Sequence, residues 1–250
     1  MWLTRDCLLR YLRATKWNQA EASKRLLATI SWRREYGVEG LTPEHISPEN
    51  ETGKQLIFGY DNDARPCLYL NPGRQNTSYS PRQNQHLVFM LERVIELMPP
   101  GQENLALLIN YKDTSSGKKG PGLSQGKEVL NILQNHYPER LGRCLISDLP
   151  WFITTFYKLI TPFIDPVTRP KLKFNPILPE HVPASQLVAT VGGDVEFEYA
   201  HDVYWPALNR LCEERREAYR RRWEDGGKRV GESERVLRGG ELKGQDSNCR

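Results

Sequence analysis

The stretch from His136 to Lys171, HYPERLGRCLISDLPWFITTFYKLITPFIDPVTRPK, narrows the folds open to this chain more than any other. Pro138 stops a helical pattern, and Arg143 to Ser147 reads as a short apolar strand. Trp151 to Ile164 then reads as a helix that is apolar nearly all the way round, with Lys158 its one charge. A helix without a polar face is buried in a core or lies against lipid. It runs straight into a polar, basic elbow containing Asp165, Pro166, Arg169 and Lys171. An apolar lid beside a charged rim suits a protein that holds an amphipathic molecule. Ordinary core packing is the other reading of the same helix.

The rest of the chain alternates elements. Thr4 is placed to cap a helix from Arg5 to about Ala14, and Asn18 with Glu21 forms a near capping box for a second helix ending at Gly37. That second helix is expected to bury Ala22, Leu26, Thr29 and Ile30 and to expose Lys24 and Arg33. Leu41 to Asn50 reads as a Pro-containing linker, and Gln55–Tyr60 with Pro66–Leu70 as a hairpin turned by Asp61-Asn62-Asp63. Ser80-Pro81 opens a helix whose inner face holds Leu87, Met90, Leu91, Val94 and Met98. Leu105 to Ile109 is apolar throughout, as buried parallel strands are, and Ser124 to Tyr137 reads as a helix. Alternating helix and strand after a hairpin predicts an α/β fold with a mostly parallel central sheet. The expected divisions are a helical region over 1–40, a main domain over 50–205, a charged helix over 206–225, and a disordered Gly-rich tail over 226–250.

Several functional classes fall away. Hydrophobic residues at 38% and charged residues at 26% fit a globular protein of 250 residues, and the net charge of +4 chooses no partner. Five irregularly spaced cysteines point to a reducing compartment without a disulfide framework. No signal peptide is legible, and no apolar run reaches the ~18 residues of a membrane span, so membrane contact is expected to be peripheral. The five histidines form no ligand pattern, so no metal is expected. Gly122-Leu123-Ser124-Gln125-Gly126 matches the hydrolase G-x-S-x-G string, but a polar loop separates it from the preceding strand and Ser124 suits a helix N-cap. A phosphate loop fails because Pro121 and Glu128 stand where Gly and Ser/Thr are required. The terminal arginines share their helix with Glu213, Glu214, Glu217 and Glu224, so nucleic acid is not an expected partner.

The combination YPER (Tyr137 to Arg140), PF (Pro162-Phe163), DPVT (Asp165 to Thr168) and Lys171 resembles the CRAL-TRIO lipid-binding domain. More narrowly, it resembles the fungal phosphatidylinositol transfer proteins of the secretory pathway. CLLRYLRATKW (Cys7 to Trp17), WRREYG (Trp32 to Gly37) and Gly192-Gly193 extend the likeness over roughly residues 5–205. It implies an apolar cavity between sheet and helices, with a helical N-terminal extension.

The resemblance also implies roles. Taken alone, Glu139 and Arg140 read as a local surface pair, and Thr168 and Lys171 as turn residues. In the family, the matching positions Glu139, Thr168 and Lys171 contact the inositol phosphate head group, and Arg140 of the same YPER motif is expected among the head-group residues. A buried phosphodiester needs a cation and donors, and inositol hydroxyls need an acceptor. Many members carry a second arginine, a phosphate ligand, where this chain has Thr15; Lys16 is the expected substitute for its charge, with Thr15 still a donor. Trp151, Phe152, Phe156, Tyr157, Leu159, Ile160 and Phe163 correspond to the gate helix that opens at a membrane. The Gly192-Gly193 pair and the Asp165-Pro166 turn are candidate hinges. TSSG at Thr114 to Gly117 and MPPG at Met98 to Gly101 resemble a subgroup that pairs phosphatidylinositol with sterol. The implied function is therefore exchange of phosphatidylinositol and a second lipid between membranes, without catalysis or cofactor. Sterol is the expected second lipid and phosphatidylcholine the alternative; a serine hydrolase acting on lipids is a more distant reading. The implied location is cytoplasmic, peripheral on the endoplasmic reticulum, lipid droplets or Golgi.

Overall fold

The computed structural model describes residues 1–112, 114 and 123–241, with side chains for all of these except 123–125 and 152. Five strands form one sheet in the order β1 (Gln55–Tyr60), β2 (Pro66–Leu70), β3 (Leu105–Asn110), β4 (Leu141–Ser147) and β5 (Leu172–Phe174). β1 and β2 are the expected antiparallel hairpin, and β2 to β5 run parallel. Each parallel step is crossed by a helix: α4 (Pro81–Glu96), α5 (Leu123–His136) and α6 (Trp151–Ile160).

Successive side chains of a strand point to opposite faces. Leu68, Leu105, Leu107, Cys144 and Ile146 accordingly meet the helices, whereas Cys67, Tyr69, Ala106, Leu108 and Leu145 meet Leu178, Val182, Leu187 and Val188. This two-sided burial is why the central strands lack a polar alternation.

Ahead of the sheet, α1 (Arg5–Ala14) and α2 (Gln19–Tyr36) form the expected hairpin. Thr4 Oγ1 accepts from Cys7 N at 3.0 Å and Asn18 Oδ1 from Glu21 N at 3.1 Å, satisfying helix-start donors. Gly37 ends α2 at φ 74°, a left-handed conformation that glycine adopts freely. α2 seals the end of α5: Arg25 donates to the Gln134 carbonyl at 2.9 Å, Thr29 to that of Asn135 at 3.3 Å, and Trp32 stacks on His136 at 4.1 Å.

Four expectations change. Residues 43–50 are a helix, α3 (Pro43–Asn50), and not a linker: Thr42 caps His45 N at 3.3 Å and Pro43 sits where a missing N–H is harmless. Arg33 is buried, because it forms ion pairs with Glu92 and Glu39, each at 2.8 Å. The charged helix α7 (His201–Asp225) starts before 206 and packs on α4 through Trp205, Leu208 and Cys212. Residues 226–241 do not match a disordered tail: they carry α8 (Glu234–Leu237), with Ser233 and Leu237 buried. Composition cannot register that α8 brings a carboxylate to buried arginines distant in sequence. Residues 242–250 lie outside the described residues.

Candidate functional site: a lidded sheet with a charged rim

α6 lies across the helix-facing side of β3 and β4. Ile153, Ile160 and Ile164 are buried, and Ile153 packs with Tyr111, Cys144 and Ile146. Phe156 and Tyr157 are half-buried. Trp151, Leu159 and Phe163 face outward, Trp151 with 81% of its surface exposed. The helix thus has an apolar inner face and an outer face on which Trp151 and Leu159 stand beside the exposed Thr155 and Lys158. The Phe152 side chain lies outside the described residues. The α-helix ends at Ile160 and a 3-10 turn, Thr161–Phe163, follows, with Pro162 unable to continue the N–H ladder.

α5 makes this seat possible. A Cβ on Gly126 would lie 2.6 Å from Ile160 Cδ1 and 2.7 Å from Phe156 Cζ. Gln134 clips the elbow: its Nε2 donates to the Phe163 carbonyl at 3.1 Å and its Oε1 accepts from Asp165 N at 2.6 Å. Lys127 Nζ stands 4.1 Å from the Phe163 ring centroid.

The charged rim sits at the amino end of β4. Glu139 holds φ 58°, and its carbonyl accepts from Asn104 Nδ2 at 2.5 Å. Its carboxylate accepts from Arg13 Nε at 2.5 Å, and Arg13 also pairs with Glu103 at 3.0 Å. Lys171 Nζ donates to the Leu141 carbonyl at 2.6 Å, two residues from Glu139. Burial pushes the Lys171 ammonium below its ordinary range, while Glu139 pulls it back up, Arg65 pushes it down and Asp165 pulls it up. Glu139 and Lys171 therefore share one electrostatic environment. Thr168 is half-buried in the turn that sets Lys171, its carbonyl accepting from Lys171 N at 3.0 Å.

Three of the expected rim residues are placed differently. Arg140 is buried and turned inward: Nη1 donates to the Glu103 carbonyl at 3.0 Å, and burial pushes the guanidinium down to about 10. Thr15 Oγ1 lies 3.0 Å from the Tyr11 carbonyl, 3.2 Å from that of Leu12 and 3.1 Å from that of Asn18, so acceptors surround its single proton. Lys16 is exposed at the α1–α2 corner, with φ 52°. Conversely, Arg13, Glu103 and Arg65 belong to the rim and were not assigned to it from sequence. Arg10 and Arg13 stand three apart on one helix, a spacing that places both on one face and was the legible signal.

Between lid and floor the Tyr111 and Tyr157 hydroxyls stand 3.5 Å apart within an apolar cluster. Burial raises both phenols; the ionisable groups acting on them are each other and the Cys144 thiol. At the carboxyl ends of β4 and β5 is an open cleft of about 600 Å³ between Ser147–Leu149, Asn175–Pro179 and Thr190-Val191. Of the Gly192-Gly193 pair, Gly193 is closely packed, a Cβ there standing 1.9 Å from the Leu187 carbonyl, whereas Gly192 holds φ 91° with no atom within 4 Å of a Cβ. The Ser124 side chain and Gly122 lie outside the described residues. Among the described residues, no group of three or more His, Cys, Asp or Glu could hold a metal, and no helix is long and apolar enough to cross a membrane.

Residues 50–193 match the CRAL/TRIO domain family, and residues 1–28 match the CRAL/TRIO N-terminal domain. A CRAL-TRIO domain-containing protein of Schizosaccharomyces pombe is 56% identical over 96% of this chain, which spans 24% of that protein. The phosphatidylinositol transfer protein PDR17 of Saccharomyces cerevisiae is 44% identical over 83% of the chain, which spans 62% of it. The chain thus covers under two thirds of either relative's length. The crystal structure of Sfh5 is similar in fold, with a TM-score of 0.54 and 17% identity, covering 66% of this chain and 62% of that one.

Proposed function

This chain belongs to the CRAL/TRIO family, and from that premise we propose that it is a phosphatidylinositol transfer module that exchanges the lipid between membranes without catalysing a reaction. The observation that carries this reading is the gathering of a carboxylate and two cations at one end of an apolar helix and sheet: Glu139 bonded to Arg13, and Lys171 on the Leu141 carbonyl two residues away. The carboxylate suits inositol hydroxyls. Arg13 and Lys171 suit the phosphodiester, whose burial without charge-assisted bonds would be prohibitive. Thr168, in the turn that sets Lys171, is a further head-group contact at this rim. The 44% identity to PDR17, a protein named for phosphatidylinositol transfer, supports the same reading.

The energetics require a carrier. Two acyl chains hold about 30 methylenes, each costing about 0.8 kcal/mol to expose to water. An apolar cavity removes most of that cost, so exchange is limited by opening of the lid and not by bond chemistry. α6 is the lid: its inner face is satisfied by the sheet, and a bilayer would replace those contacts when it lifts. The outward Trp151, Leu159 and Phe163 favour peripheral membrane contact; the endoplasmic reticulum, lipid droplets and Golgi are the membranes we propose for it, from the cytoplasmic side, on the family resemblance alone.

For the second lipid we favour sterol. The Tyr111–Tyr157 pair offers hydroxyls in apolar surroundings, which suits a ligand with one hydroxyl and no charge. Native mass spectrometry of co-purified lipids tests both parts. The expected result is phosphatidylinositol and sterol with little phosphatidylcholine. Phosphatidylcholine without sterol would overturn the second-lipid assignment alone; absence of any inositol lipid would overturn the function.

A further inference from the structure

We propose that Glu234 in α8 is a positioning residue for the head-group rim, acting through a relay of ion pairs that ends on Glu139. The proposal rests on the reading of Glu139 as an inositol contact. Glu234 holds Arg10 with both carboxylate oxygens, Nη2 to Oε1 and Nη1 to Oε2, the latter at 3.3 Å. Arg10 Nη1 also donates to Glu103 Oε2 at 2.8 Å. The same Glu103 oxygen accepts from Arg13 Nη2 at 3.0 Å, and Arg13 Nε donates to Glu139 Oε2 at 2.5 Å. Five side chains of alternating sign therefore connect the carboxyl-terminal segment, by way of α1, to the rim.

The relay is built in, and is more than surface decoration. Only 4% of the Arg10 side chain is exposed. Glu234 is also approached by Arg140 at 3.6 Å and Arg238 at 3.8 Å, and it accepts from Thr4 Oγ1 at 2.9 Å. Its backbone N–H donates to Asp6 Oδ2 at 2.7 Å, which fixes α8 on the start of α1. Glu234 is the carboxylate partner of Arg140 and Arg238, and it shares Arg10 with Glu103. When it is neutralised, Arg10 retains Glu103 as its carboxylate partner, and the two buried arginines beside it lose their counter-ion. Glu103 is then drawn from Arg13, which closes fully on Glu139. A tighter Arg13–Glu139 pair competes with inositol hydroxyls for the carboxylate and with the phosphodiester for the guanidinium, so this redistribution opposes head-group binding while leaving the packing of α6 on the sheet untouched.

A double-mutant cycle on the full chain tests the relay, with transfer of labelled phosphatidylinositol between phosphatidylcholine vesicles as the readout. Glu139→Gln is expected to lower transfer. Glu234→Gln is expected to lower it by roughly threefold or more in the wild-type background, and to add nothing in the Glu139→Gln background. General destabilisation would act equally in both backgrounds. If Glu234→Gln does not fold, Glu103→Gln takes its place in the cycle, because Glu103 is only partly buried and lies mid-relay. Wild-type transfer by the relay variant, or effects that multiply, would overturn the relay while leaving the head-group reading standing. Wild-type transfer by Glu139→Gln would instead overturn the head-group reading, and the relay with it.

Discussion

Glu139 occupies the left-handed backbone region, where side chains other than glycine and asparagine are uncommon. The conformation is held by Asn104 on its carbonyl and Arg13 on its carboxylate. It places the carboxylate against α1 within the field of Lys171. At this scale the first prediction concerns charge: Lys171→Ala should keep the fold and slow phosphatidylinositol transfer by about tenfold or more. A charge-assisted bond to a phosphate is worth about 1.5–3 kcal/mol. Wild-type transfer by this variant would place the phosphate elsewhere. A second prediction concerns His86, which is fully buried, with neither ring nitrogen partnered among the described residues. Burial, then Lys54, push it down to about 3, with Glu49 opposing. His136 behaves alike, pushed to about 4 by burial, Arg25 and Arg33. The unfolded chain protonates histidine below about pH 6.5 while the folded one does not, so stability is full above that pH and falls as pH drops toward 3–4. His86→Leu should change stability at pH 7.5 by less than about 1.5 kcal/mol. It should also flatten the decline in melting temperature between pH 7.5 and 4.5; an unchanged decline would assign the acid sensitivity to other groups.

The contact of α5 with α6 decides how firmly the lid is seated. Gly126 lets Ile160 and Phe156 reach the surface of α5, and Gln134 fastens the elbow beyond them. Replacing Gly126 by Ala gains about 1 kcal/mol of helix propensity, yet puts a methyl group inside the contact distance of both side chains. The larger Gly126→Leu should lift α6 while sparing the sheet. Hydrogen exchange should then accelerate over Trp151–Ile160 and stay slow in β3 and β4. Equal protection of α6 in variant and wild type would mean that the seat tolerates the added side chain and does not govern the lid.

At the scale of the molecule, the proposed route of lipid entry requires α6 to leave a packed cluster shared with the sheet, which includes Cys144 and Ile153. An Ile153→Cys variant oxidised to a disulfide with Cys144 should block lipid transfer, and reductant should restore it. Undiminished transfer by the crosslinked protein would mean that lipid enters by another route and that α6 is a core helix. The start of α1 and α8 join at Thr4, Asp6 and Arg10, and Arg13 of the same helix reaches the rim at Glu139.

Local rules sufficed for the hairpin, the caps at Thr4 and Asn18, the apolar strands and the helix from Trp151, because each depends on residues within one or two turns of one another. The motif residues Glu139, Thr168 and Lys171 were legible by resemblance, and the structure brings Glu139 and Lys171 into one electrostatic environment. Arg140 and Arg33 read as surface residues because a charged side chain is normally exposed; carboxylates distant in sequence, Glu234 for one and Glu92 together with the nearer Glu39 for the other, make their burial tolerable. The Gly-rich stretch after residue 225 read as disordered for the same reason: its composition is polar, and its order comes from contacts distant in sequence, among them Glu234 with Arg10 and Arg140, Arg238 with the Ile95 and Met98 carbonyls, and the burial of Leu237. Sequence alone determined the elements and the chemistry available at the rim. Tertiary structure decided which charges meet, since ion pairing depends on distance in space, and separation along the chain does not encode it.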